Sequence, residues 1–199
     1  MPERRNLISS SSRAGNELSE LELLKQIRSG EASGMRLLYE RYIGYLTAVC
    51  SRYVVDSAAV KDILQDSFIK VFSKLDRFDY RGEGSLKAWM SRIVVNDSLK
   101  SLRNAGRLTY VEELPDTEED GEMDSMPKVP VKELAEMIKS LPDGYRTVFN
   151  LFVFEKKSHK EIGGLLGIKE DSSASQFFRA RAMLAKKIKE YWKKQGYEQ

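Results

Sequence analysis

Apolar side chains recur every three or four positions along two long stretches of this chain, and a stretch without any such period separates them. In the first, Leu18, Leu21, Leu24 and Ile27 set a helical period that stops at Gly30. Met35, Leu38, Tyr42, Leu46 and Val49 predict the inward face of a second helix over about residues 31–53. Val60, Ile63, Leu64, Phe68, Val71, Phe72 and Leu75 predict a third, with Asp56 placed to cap it. Gly82 and Gly84 then break the pattern, and Ser85 is suited to cap a fourth helix that carries Trp89.

The second periodic stretch begins near Val131. Leu134, Met137, Ile138 and Leu141 predict a short helix that ends before Pro142, and Asp143 is suited to cap the next, with Val148, Phe149, Leu151 and Phe152 as its apolar side. Ser158 with Glu161 forms a capping box for a third helix, whose Ile162, Leu165 and Leu166 point inward. Gly167 then makes a tight turn, and Asp171 or Ser172 caps a fourth helix. Helix, glycine turn, helix is the grammar of a helix-turn-helix. The expected fold is all-α: two small helical domains joined by a flexible acidic linker, the second a four-helix domain with a helix-turn-helix. The boundaries expected are a disordered tail over 1–16, domains over 17–104 and 131–199, and the linker over 105–130.

Composition narrows the chemistry. A hydrophobic share of 41% over 199 residues suffices for two small cores. Lys and Arg number 33 against 30 Asp and Glu, a net charge of +3, so binding to nucleic acid has to come from where the charges lie. The aperiodic stretch holds Glu112, Glu113, Asp116, Glu118, Glu119, Asp120, Glu122 and Asp124, broken by Pro115, Gly121, Pro127 and Pro130, which is linker composition. One cysteine, Cys50, and one histidine, His159, leave no disulfide framework and no usual zinc site, so neither metal nor other cofactor is expected. Paired carboxylates, a nucleophile with its base and a phosphate-cradling glycine loop are all missing at usable spacing, and the chain is not expected to be an enzyme. No apolar run approaches the roughly 20 residues of a membrane helix, so no membrane insertion and a cytoplasmic location are expected.

The candidate chemistry lies in D-I-L-Q-D-S-F-I-K-V-F and the loop and helix after it, residues 62–103. Phe78, Tyr80 and Trp89 lie among Arg77, Arg81, Lys87 and Arg92, a mixture that holds a phosphate backbone while stacking on unpaired bases. On the residues alone, Trp89 reads first as a core aromatic and Asn96 first as a polar residue on a solvated face. In the second domain the N-terminal part of the last helix would enter a major groove, with Ser175, Gln176, Phe178, Arg179 and Arg181 as readers.

The D-I-L-Q-D-S-F and K-V-F pieces, then W-M-S-R-I-V-V-N-D and Arg103, resemble region 2 of the extracytoplasmic-function (ECF) sigma factors of bacterial RNA polymerase. L-P-D-G-Y-R-T-V-F-N-L, H-K-E-I-G-G-L-L-G-I and F-R-A-R are similar to region 4 of the same family. The sequence departs from the family habit at Leu86 (often Phe), Gly163 (often Ala) and Asp171-Ser172 (often Gly-Thr). The resemblance implies a subunit that binds polymerase core through its clamp helices and flap, reads the −10 and −35 elements of promoter DNA and helps to open the duplex. An anti-sigma factor is implied as antagonist. Asp62, Gln65 and Asp66 are then expected to bind core. Tyr80, Arg81, Trp89, Arg92, Asn96, Lys100 and Arg103 are expected on −10 DNA, with the loop around Asp79–Ser85 and Asn96 holding a flipped base. Ser175, Gln176, Phe178, Arg179 and Arg181 are expected on −35 DNA. The acidic linker is either a soluble spacer or a mimic of nucleic acid in the polymerase channels. A regulator using only the helix-turn-helix would have no need of the D-I-L-Q-D helix or of the Trp89 and Asn96 helix.

Overall fold

The computed structural model describes residues 18–108 and 128–197. The expected tail over 1–16 and most of the expected linker lie outside them. Among the described residues the chain forms eight α-helices, one 3-10 turn and no strand. Helices α1 (Glu20–Arg28), α2 (Ala32–Ser51), α3 (Ser57–Lys74) and α4 (Ser85–Asn104) make the first bundle, with the 3-10 turn Leu75–Arg77 ending α3. Helices α5 (Val131–Lys139), α6 (Asp143–Val153), α7 (His159–Leu166) and α8 (Glu170–Lys194) make the second.

The apolar periods do what their spacing asks. Leu23, Leu24, Leu38, Leu46, Phe68, Val71, Leu86 and Met90 are buried together in the first bundle. Two expected inward residues face out instead: Leu21 is 38% and Met35 46% exposed. The α1 period actually runs through Leu23, Leu24 and Ile27, which leaves Leu21 outside it.

Capping chemistry sets most boundaries. Asp56 accepts a hydrogen bond from the Ala59 N–H at 2.7 Å and starts α3. Ser158 and Glu161 form the expected box at α7. The Ser158 backbone N–H, the Lys157 ammonium and the Ser158 hydroxyl hold the Glu161 carboxyl down to about 2. That support for α7 is present above the ordinary carboxylate range and is lost as pH falls toward 2. Gly167, at φ 72°, closes the turn into α8.

Three expected caps do not form. Gly84 occupies the cap position of α4, at φ 86°, and the Ser85 hydroxyl accepts from the Arg81 N–H instead. Pro142 precedes α6, leaving Asp143 as its first helical residue, ion-paired with Arg146. Lys169 precedes α8, so Asp171 and Ser172 lie inside its first turn. Gly163 has a packing reason: a Cβ there would come within 2.7 Å of the Ile168 carbonyl oxygen in the turn into α8.

The two bundles touch. Arg146 and Asn150 of α6 donate to the carbonyls of Tyr53 and Arg52 at 2.8 and 2.7 Å. Those carbonyls belong to the C-terminal end of α2, which has lost its own helical partners, so one bundle caps a helix of the other. The Arg52 guanidinium stacks over the Phe154 ring at 4.4 Å, and the Arg103 Nη1 donates to the Leu165 carbonyl at 3.3 Å. Val148, Leu151, Ile162 and Leu166 join the apolar core of the first bundle. Tyr53 is fully buried, and that burial, with the nearby Glu155 charge, pushes its hydroxyl well above the ordinary range.

Candidate nucleic-acid interface

Helix α4 presents the candidate residues as a row. Its buried positions, Met90, Ser91, Val94, Val95, Ser98, Leu99 and Leu102, face the bundle. The phase that remains exposes Arg92, Asn96, Lys100 and Arg103 on the opposite side. Steps of four, four and three residues keep them on one face over about 16 Å. Three cations around one amide therefore line a solvent-facing stripe. Arg103 at its end is also the residue engaged by Leu165 of the second bundle.

Trp89 is half-buried at the head of the stripe and packs on Phe78, ring centroids 4.9 Å apart. It roots the loop to the helix. Tyr80 is partly buried against the core, whereas Arg81 is exposed and paired with Asp79 at 3.1 Å. The loop is thus half anchored and half open. Asp97, one residue from the stripe, turns the other way and holds Ser67 and Lys70 of α3, which fixes the rotation of α4.

On α3 the exposed side carries Asp62, Gln65 and Asp66. Beside them, between α2 and α3, opens an apolar groove of about 730 Å³ lined by Tyr39, Ile43, Val55, Phe68, Ile69 and Phe72 among others, with Gln65 at its wall. Ile69 is 60% and Tyr39 45% exposed. Sequence reasoning missed this apolar half of the surface. Ile69 stands four residues after Gln65 on the polar face, and that break in the pattern was the available signal.

Helix α8 divides its candidates. Phe178 is 44% exposed, Arg181 is exposed and Ser175 half-buried. Gln176 and Arg179 are only 1% and 3% exposed, a correction to their expected place as accessible readers. Ser173, Gln176, Ala180, Leu184, Ile188 and Trp192 form the inward stripe of α8, so helical phase carries Gln176 into the bundle despite its polarity. Arg179 lies beside Ala180, with its Nη1 3.5 Å from the Tyr145 hydroxyl.

Among the described residues no group of three or more His, Cys, Asp or Glu is arranged to hold a metal, and no helix is long and apolar enough to cross a membrane.

Both bundles match families of known proteins. Residues 38–108 match the family model of sigma-70 region 2 and residues 132–184 that of sigma-70 region 4. The ECF RNA polymerase sigma-E factor of Haemophilus influenzae is 26% identical over 189 residues, 86% of this chain and 96% of that protein. The sigma-E factor of Escherichia coli K12 is 26% identical over 185 residues, 86% of this chain and 95% of that protein. Among solved structures, CnrH in complex with the cytosolic domain of CnrY aligns over 83% of this chain and 94% of that one, at 24% identity and a TM-score of 0.45. The sigma factor RpoE of Bartonella quintana, in complex with the anti-sigma factor NepR, aligns over 77% of this chain and 96% of that one, at 19% identity and a TM-score of 0.46.

The chain belongs to the ECF sigma factors of the sigma-70 family, non-enzymatic subunits that bind RNA polymerase and recognise promoter DNA.

Proposed function

We propose that the α4 stripe and the loop before it read the −10 element as single-stranded DNA, that α7 and α8 read the −35 duplex, and that the α3 side with its groove binds the polymerase clamp helices. The domain boundaries that go with this reading are 17–104 for region 2 and 131–199 for region 4, with an acidic linker over 105–130 and a tail before 17. The observation that carries it is the exposed row of Arg92, Asn96, Lys100 and Arg103 beside a half-open aromatic loop. Cations at that spacing suit a phosphate backbone, and an amide offers a base edge both a donor and an acceptor. Location in the cytoplasm, contact with the polymerase flap and control by an anti-sigma factor complete the proposal.

The α3 surface combines charge-assisted bonds, each worth about 1.5–3 kcal/mol, with an apolar groove next to them. Replacing Gln65 and Asp66 together by alanine is expected to lower affinity for core polymerase at least tenfold in a pull-down titration, with helicity unchanged. Unchanged affinity would remove α3 from the interface.

For the −35 element, accessibility reorders the candidates. Arg181→Ala and Phe178→Ala are expected to lose on the order of 1–3 kcal/mol of discrimination in duplex binding. Arg179→Ala is expected to act first on stability of the second bundle, since its guanidinium is buried. Thermal unfolding beside a −35 binding series separates the two. Loss of discrimination from Arg179→Ala at full stability would return Arg179 to the reading surface.

A further inference from the structure

The −10 loop is held from outside, by helix α1, which precedes the residues matched to region 2. Helix α4 begins without a side-chain cap of its own, because its cap position is Gly84. Its free donors go to Glu20 instead. The Leu86 and Lys87 N–H groups donate to the two Glu20 carboxylate oxygens at 3.0 and 3.1 Å. The Tyr42 hydroxyl donates to the same carboxylate at 2.9 Å. Glu20 is 1% exposed, so this is a buried carboxylate on the positive end of a helix, with three donors from two other elements. Burial and the Glu20 bond push the Tyr42 hydroxyl well above its ordinary range, which keeps it a donor.

The same helix grips the loop at two more points. The Glu20 backbone N–H donates to the Glu83 carboxylate at 3.1 Å, and that carboxylate also meets Arg41 at 3.4 Å. At the other end of α1, Arg28 donates to the Phe78 carbonyl at 2.7 Å. The loop from Phe78 to Ser85 is therefore tied to α1 at its start, near its end and at the first turn of the helix it leads into. A core carboxylate serving only stability would have no reason to be accompanied by two further ties to the backbone and side chains of one polar loop.

We propose that α1 is a brace that sets the geometry of the −10 reading loop, with Glu20 as its positioning residue and Arg28 and Glu83 as its outer ties. The proposal rests on the assignment of that loop and Asn96 to the −10 element. Glu20 touches no DNA in this account; it holds the loop and the start of α4 where Asn96 and the aromatic side chains share one face. Small displacements of a reading group erase discrimination long before they unfold a domain.

The test is transcription by core polymerase carrying the full chain, on a premelted promoter with its own −10 sequence and on a set with single −10 substitutions. The readout is the ratio of activities between the two, which does not depend on how much of a variant is active. Glu20→Gln is expected to lower that ratio about tenfold, by replacing a carboxylate acceptor with an amide among three donors. Glu83→Gln, on the exposed loop, is expected to lower it less, and it carries the test if Glu20→Gln does not fold. Arg36→Ala, on the exposed side of α2, is the control and is expected to leave it unchanged. A drop in total activity with the ratio intact in both Glu variants would overturn the brace and leave Glu20 as a fold-holding residue. Asn96→Ala in the same series separates the two ideas. If it flattens the ratio and the Glu variants do not, the −10 assignment stands and the brace falls. If the Glu variants flatten it and Asn96→Ala does not, the brace stands and another loop residue reads the base.

Discussion

Removing the two side chains that cap α2 across the bundles is expected to open the molecule. Arg146 is 2% exposed and donates to the Tyr53, Leu141 and Lys139 carbonyls while pairing with Asp143. Breaking a buried charge network by deleting one partner costs about 3–5 kcal/mol. Arg146→Ala should therefore destabilise the second bundle as well as the contact. The milder pair Arg52→Ala with Asn150→Ala removes only bonds between bundles, the stacking on Phe154 and the donation to the Arg52 carbonyl, the latter a backbone acceptor that then turns to water. That pair is expected to raise the radius of gyration in small-angle scattering at unchanged helicity. It should also speed association with core polymerase, because core would no longer have to separate the bundles. Unchanged scattering would mean that the apolar contacts of Val148, Leu151 and Ile162 hold the closed form without the polar caps.

Shortening the linker is the second large effect, because reach decides what the linker must do. Elements named for positions 35 and 10 lie about 25 base pairs apart, roughly 85 Å at about 3.4 Å each. If the expected linker over 105–130 behaved as a free coil, it would average only about 30 Å between its ends, and about 90 Å would be its fully extended limit. On the proposed reading of both elements, polymerase would have to hold the two domains apart against the closed interface. Deleting about ten linker residues is expected to abolish transcription from two-element promoters while each domain keeps its helicity. Full activity from the shortened chain would show that the two elements are not read at once. The free protein is expected to fail at specific binding of a full promoter duplex at physiological salt. Arg103 illustrates why: it bonds the Leu165 carbonyl in the closed form, so on the proposed reading a DNA phosphate would compete with a protein acceptor there.

The parts of the fold that depend on local chemistry were legible in the sequence. Asp56, the Ser158 and Glu161 pair and Gly167 mark boundaries because their partners lie within four residues. The cap of α4 was not legible, since its acceptor, Glu20, lies 66 residues from Leu86. Ser85 looked like a cap and is instead bonded to the loop. Among candidate site residues, the row from Arg92 to Arg103 follows directly from helical spacing once the apolar phase of α4 is known. Gln176 and Arg179 show the limit of that method. Polarity suggested an outward face, but both lie on the buried side of α8, and only its packing against α6, α7 and α5 fixes the phase. The contact between bundles had no sequence signal at all, because Arg146 and Asn150 reach backbone carbonyls, which every residue possesses.

The central claim is that this chain confers promoter choice on polymerase through α4. Run-off transcription with purified core polymerase, on a template bearing −35 and −10 elements, tests it most directly. Core alone should give no defined start, core with the chain should give one, and Asn96→Ala should keep that start while losing preference at one −10 position, worth about 1–3 kcal/mol. The same transcripts with and without the chain, or undiminished preference at every −10 position in Asn96→Ala, would contradict it.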